Sequence, residues 1–203
     1  RNRPAPDCPK AGTGPRRVMI VIEQIEDLED DYPSSAVAVG TFDGVHLGHR
    51  EILGRVVRWA RQEGGTAVVF TFARHPLEVV SPSKAPPLIT PLSIKKDIIA
   101  ALGVDLMIAA TFTPRLAATL PHDFVKTCLV DRLRARFVCV GYDFSFGNAR
   151  AGSPEMLRRL GEEHKFGLDV VSAMTVDGQV VSSTLIRGLL AAGNLRQAAR
   201  YLG

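Results

Sequence analysis

The sequence predicts an α/β protein built on a mostly parallel sheet of five to six strands with helices on both faces. Three observations point there. Short β-branched runs alternate with helical periods from residue 17 onward. The run at 136–141 is apolar almost throughout, as in a strand covered on both sides. Glycine-rich turns stand directly between a strand and a helix at 40–44. With 203 residues, 46% apolar and 23% charged, the chain has the composition and length of one compact globular domain.

Taken in order, residues 1–17 form a leader with five basic residues (Arg1, Arg3, Lys10, Arg16, Arg17) and one acid, Asp7. Its Pro and Gly content predicts a disordered, solvated arm. With the leader set aside, 18–203 holds 20 basic and 20 acidic residues, so the net charge of +4 gives little reason to expect a nucleic-acid partner. Without an initiating Met, the chain reads as a fragment or a processed product.

A first strand is expected at 18–22, followed by an acidic loop or helix face at 23–31. A buried strand at 36–39 runs into Gly40-Thr41-Phe42-Asp43-Gly44. Ile52, Leu53, Val56, Val57 and Ala60 then recur at helical spacing until Gly64-Gly65 stops the helix. Residues 66–72 are the next strand. The segment 82–91 carries four of the thirteen prolines and reads as a loop without helix or strand, placed to act as a lid. A helix at 92–102, a strand at 105–111, a helix at 123–133 and a strand at 136–141 follow. Ser153 before Pro154 caps another helix. A strand at 168–173, an Asp177-Gly178 hairpin and a helix opening at Ser183-Thr184 close the chain.

No run approaches the roughly 18 apolar residues of a membrane span, and no apolar signal core opens the chain. Cys8, Cys128 and Cys139 are odd in number and lack CxxC spacing, so neither a disulfide framework nor a zinc site is indicated and a cytoplasmic compartment is expected.

Three clusters fall where strands end, which is where open α/β sheets place ligands. In the first, 40–49, His46 and His49 lie three apart at a helix start, so both rings face the same way. At the positive end of a helix dipole they are placed to donate hydrogen bonds to phosphate oxygens. Half a metal site is the alternative, but no third ligand follows at the right spacing. The second cluster, Ser182-Ser183-Thr184 with Arg187 a turn later, is an anion cradle or an ordinary helix cap. The third, Gly141-Tyr142-Asp143-Phe144-Ser145-Phe146-Gly147, and the related stretch from Phe70 to Pro76, offer Phe72 and His75 as walls for a planar ligand, or simply packed strand ends.

The stretch GTFDGVHLGHR resembles the signature of the HxGH nucleotidyltransferases. With TFARHPLEV, GYDFSFG followed by Ala149-Arg150-Ala151-Gly152, and VSSTLIR, the chain is similar to the FMN adenylyltransferase module of bacterial bifunctional FAD synthetases, in the family's order over 18–203. The first motif is shared with cytidylyltransferases and other adenylyltransferases; the second and third narrow the resemblance to flavin.

The resemblance implies a Rossmann-like nucleotidyltransferase fold that joins the AMP part of ATP to FMN, giving FAD and pyrophosphate with Mg²⁺. ATP would meet Gly40, Thr41, Phe42, Asp43, Gly44, His46, His49, Ser182, Ser183, Thr184 and Arg187, with His46, His49, Ser183, Thr184 and Arg187 active in the transfer. Phe72, His75, Pro76, Asp143 and Phe146 would shape the FMN side. No protein metal ligands are expected, because Mg²⁺ leans on substrate phosphates. Asp43 either assists it through water or serves only its Asp-Gly turn. Bacterial relatives of this kind carry a riboflavin kinase domain after this module, and the resemblance leads us to expect none within residues 18–203. Two positions depart from the family pattern: Arg74 stands where Pro is common before His-Pro, and Ser153 where Asp is frequent. The competing readings are transfer to another phosphorylated acceptor, or a non-catalytic nucleotide- or RNA-binding module using the basic leader.

Overall fold

The computed structural model describes residues 18–28, 32 and 34–203. The expected disordered leader 1–17 and acidic positions 29–31 lie outside the described residues. Among the described residues six strands build the main sheet: β1 (Ile20–Ile22), β2 (Ser35–Val39), β3 (Thr66–Phe72), β4 (Leu106–Ala110), β5 (Ala135–Gly141) and β6 (Gly167–Val171). They form one parallel sheet in the order β1-β4-β3-β2-β5-β6. Val37 of the central β2 lies in register with Val68 on one side and Val138 on the other. The chain runs outward from β2 through β3 to β4, then returns to β5 on the far side, so the strand order reverses at β2 and β5. Such a reversal opens a crevice beyond the carboxyl ends of the strands, and the loops after β2 and β5 flank it.

The helices are α1 (Leu47–Glu63), α2 (Leu77–Val80), α3 (Leu92–Ala101), α4 (Pro114–Ala117), α5 (Pro121–Phe124), α6 (Pro154–His164), α7 (Ser183–Ala191) and α8 (Leu195–Leu202). Because strand side chains alternate, the sheet feeds two cores. Ala36, Ala38, Ala67, Val69, Met107 and Cys139 face α1 and α3, where they bury Ile52, Leu53, Val56 and Ile99. Val37, Val39, Val68, Phe70, Val138 and Val140 face the other way, onto Phe124, Val125, Leu129, Leu157 and Leu160. Alanines dominate the α1 side, letting that helix approach closely. Each large side chain so buried contributes about 1.5–3 kcal/mol as an upper bound. Helices therefore cover both faces, as the alternation of periods predicts.

Several elements differ from the expectation, among them the short helices α2 and α4, which it did not include, and β1, which is shorter than the strand expected at 18–22. The helix expected at 123–133 begins two residues earlier, with Pro121 in its first turn, and from Val125 to Arg132 it takes the wider π form. Leu133 N–H donates to the Cys128 carbonyl five residues back, and Lys126 pairs with Asp131 at the same spacing. The proline-rich loop contains a short 3₁₀ turn, Pro82–Lys84, because Pro fits the first position of a helix. α8 is an addition, opened by the Asn194 side chain, which accepts from Gln197 N–H. A two-stranded hairpin, β7 (Thr175–Val176) with β8 (Gln179–Val180), turns at Asp177 (φ 53°) and Gly178 (φ 74°) as expected. No helix among the described residues is long and apolar enough to cross a membrane.

Candidate active site

β2 delivers the chain into a strained turn. Phe42 (φ 48°) and the β-branched Val45 (φ 38°) both adopt left-handed backbone while buried, at a cost of about 1–3 kcal/mol each. Val45 is held at both its backbone groups: its N–H donates to the Phe42 carbonyl at 3.2 Å, and its carbonyl accepts from Arg50 Nε at 3.2 Å. The outcome is the placement of His46 as the cap of α1, its Nδ1 accepting from His49 N–H at 3.4 Å.

The imidazoles of His46 and His49 stack with centroids 3.6 Å apart and planes 18° from parallel. Gly48 permits this, since a Cβ there would lie 3.3 Å from His46 Cε1. With Nδ1 accepting, the His46 proton resides on Nε2, which becomes its donor. Burial pushes His46 down to about 4, against the pull of Asp143 and Asp43. Burial also lowers His49, reinforced by His46 and Lys95, and its Nδ1 is enclosed with no partner among the described residues. Both rings are therefore neutral at pH 7, and each can donate one N–H.

α7 meets this turn through Asp43, which is 3% exposed. Its carboxylate accepts from Ile89 N–H at 3.0 Å, Thr90 N–H at 3.1 Å and Arg187 Nη2 at 2.6 Å. Its carbonyl accepts from Ser183 Oγ at 2.9 Å. Arg187 Nε also donates to the Pro87 carbonyl at 2.9 Å. Asp43 thus joins the β2 turn, the proline-rich segment and the start of α7, and its oxygens are spoken for. The segment 82–91, expected as a lid, is pinned at Pro87, Ile89 and Thr90. Of the three hydroxyls, Ser182 caps α7 by accepting from Leu185 N–H at 3.2 Å, Ser183 holds Asp43, and Thr184 is exposed without a side-chain partner among the described residues.

Lys95 borders the candidate site, and the sequence reading passed over it. It is buried, and its Nζ donates to the carbonyls of Phe72 at 2.8 Å and Thr41 at 3.2 Å, tying the ends of β2 and β3 together. Burial lowers it to about 8. The signal was available: Lys95 sits on the same helical stripe as Leu92, Ile99 and Leu102. His75 belongs to the same neighbourhood. Its pKa is lowered by burial first and by the nearby Arg187 guanidinium second. Pro76 precedes α2 directly.

The aromatic candidates form a second group. Phe72 meets Phe70 and Phe112 edge to face at 5.9 and 5.3 Å, and Phe70 meets Phe124 at 5.4 Å. Phe124 then meets Phe146 at 6.0 Å, and Phe146 stacks on Phe144 at 5.3 Å. Phe72 and Phe146 are thereby linked through one row of rings on the sheet face away from α1. Phe146 is itself packed, since a Cβ on Gly152 would lie 2.7 Å from its ring. Asp143 is exposed and close enough to raise the His46 pKa, so the β5 loop borders the imidazole pair.

Residues 28–185 match the family model described as FAD synthetase. Over 186 residues the chain is 36% identical to the bifunctional riboflavin kinase/FMN adenylyltransferase of Escherichia coli (strain K12), covering 91% of this chain and 59% of that protein. The protein of the same name from Listeria monocytogenes is 34% identical over 171 residues, covering 84% of this chain and 54% of its own length. The chain thus spans less than two thirds of these relatives. The crystal structure of a macrolide-efflux protein from Streptococcus pneumoniae superposes with a TM-score of 0.79 at 23% identity, covering 92% of this chain and 62% of that one, which shows the shared fold. With the family model matched across most of the chain, from before β2 into α7, the chain belongs to the FAD synthetase family.

Proposed function

We propose that this chain transfers the adenylyl group of ATP to FMN, giving FAD and pyrophosphate. The observation that carries the reading is the junction at Asp43, which holds the imidazole pair of α1 and Arg187 of α7 in one place at the switch point of the sheet.

A phosphate monoester has a second pKa near 6, so FMN arrives already ionised and no general base is needed. One of its phosphate oxygens attacks the α-phosphorus of ATP. A new P–O–P bond forms, the bond from the α-phosphorus to the bridging oxygen breaks, and pyrophosphate leaves with that electron pair. The protein's task is alignment and stabilisation of developing charge. His46 and His49 donate neutral N–H groups to phosphate oxygens, beside the free amides at the start of α1. Thr184 and Arg187 hold the departing pyrophosphate, while Ser182, Ser183 and Asp43 fix the elements that carry them. Gly40, Thr41, Phe42 and Gly44 line the nucleotide. Phe72, His75, Pro76, Asp143 and Phe146 frame the flavin side.

Because the Asp43 carboxylate is occupied by three donors, it is a positioning residue, which would leave Mg²⁺ to substrate phosphates and water, where it would supply charge neutralisation on the leaving group. The buried free thiols of Cys128 and Cys139 suit a cytoplasmic enzyme. The relatives' names couple this activity to riboflavin kinase, and such a domain or protein would supply FMN.

The test is incubation with ATP, MgCl₂ and FMN, followed by chromatography. FAD appears with equimolar pyrophosphate, and riboflavin in place of FMN yields none. Pyrophosphate release with phosphopantetheine but not with FMN would replace this reading by another acceptor.

A further inference from the structure

We infer that His122, Glu163 and His164 form a binding site for one divalent ion of the zinc class, separate from the imidazole pair of the nucleotide site. This revises the expectation that the chain offers no metal ligands. One ligand atom from each of the three residues lies within 4.8 Å of the others. Glu163 Oε1 is 3.7 Å from His164 Nε2, and the two imidazole centroids are 6.1 Å apart.

The independent observation is His164 itself. Its side chain is only 14% exposed, and its Nε2 is enclosed with no hydrogen-bond partner among the described residues. Such an orphaned nitrogen is rare in a folded protein unless it serves an ion or a water. The other two ligands have the opposite character: the His122 and Glu163 side chains are 53% and 59% exposed. They are free to close on an ion against the fixed His164. Asp123 Oδ1 stands 3.7 Å from His122 Nδ1, too long for a hydrogen bond but near enough that a small rotation of the exposed ring would make one, as outer carboxylates do for ligating imidazoles.

Two imidazoles and one carboxylate suit Zn²⁺ and its neighbours, with a fourth position left for water. They are too nitrogen-rich for Mg²⁺ or Ca²⁺, which take oxygen. An ion there would join α5 to the last turn of α6. It would also brace the β5 loop, because Pro121 lies where a Cβ on Gly147 would be 2.6 Å away.

The test uses the tag-free full chain, stripped with a chelator, dialysed, and titrated with ZnCl₂ by calorimetry, with Co²⁺ absorption as a parallel readout. One equivalent should bind. His122→Ala and Glu163→Gln, both at exposed positions that leave the fold intact by circular dichroism, should each weaken binding by at least about tenfold. His46→Asn should bind as the parent does, and millimolar MgCl₂ should not compete. Unchanged affinity in both His122→Ala and Glu163→Gln would overturn the site. So would loss of binding in His46→Asn, which would place the ion on the imidazole pair, or displacement by Mg²⁺.

Discussion

Asp43→Ala removes the acceptor on which three separate elements converge. The truncation leaves the Ile89 and Thr90 amides without their partner, at about 1–3 kcal/mol each when buried. It also strands Arg187, whose side chain is 17% exposed and so recovers some hydration. Removing one member of a buried pair generally costs about 3–5 kcal/mol, and the sum over these groups falls in the same range. For a chain of this length that corresponds to a fall of about 6–20 °C in Tm. Asp43→Asn keeps one acceptor oxygen and should lose roughly half as much, about 2 kcal/mol. The assay is urea unfolding followed by fluorescence of Trp59, the only tryptophan, which stacks on Phe137 at 5.5 Å and reports the packing of α1 on β5. Calorimetry supplies a second probe. A loss below about 1 kcal/mol for Asp43→Ala by both methods would refute the claim that this carboxylate joins the site.

His46→Asn keeps a side chain that caps α1 while deleting the imidazole donor. FAD formation should fall about 100- to 1000-fold in kcat, with unfolding free energy within about 1 kcal/mol of the parent. Lys95→Met retains bulk but frees the Thr41 and Phe72 carbonyls, so KM for ATP should rise and stability should drop by about 1–3 kcal/mol in urea unfolding. For pH, His46 is held near 4 when folded against 6.5 when unfolded, so between those values the unfolded chain binds the extra proton. Stability is therefore full above pH 6.5 and declines as pH falls toward 4, by up to about 3 kcal/mol from this group alone. Denaturation midpoints from pH 7.5 to 5 measure it, and His46→Asn should flatten the slope.

The sheet was legible because its signals are local. The alternation of Val37 and Val39 with Ala36 and Ala38, the turn after Val39 and the helical spacing from Ile52 to Ala60 need no knowledge of distant contacts. The imidazole pair was legible for the same reason. What Asp43 does was not, since Asp-Gly reads as a turn and its main partners are backbone amides of Ile89 and Thr90, which no residue type advertises. Thr71 is another such case, donating its hydroxyl to the Thr41 carbonyl at 2.9 Å from within a strand. The cluster of His122 with His164 escaped notice because the fold alone brings their segments together. Phe146 was legible as an aromatic of the β5 loop, but its packing on Phe124 depends on where the following chain passes.

The end of the described chain carries a small apolar nucleus of its own: Val181, Ile186, Ala198 and Tyr201, with Leu47, Ile89 and Leu202 against it. Leu47 is the first residue of the histidine helix, Ile89 belongs to the clamped proline-rich segment, and a Cβ on Gly44 would lie 3.3 Å from Leu202 Cδ2. α8 is therefore a buttress for the proposed site, which it does not enter. Paring the protein back to Ala191 would unseat that prop, and the proposed reaction centre would slacken although the residues assigned to substrate remained in the polypeptide.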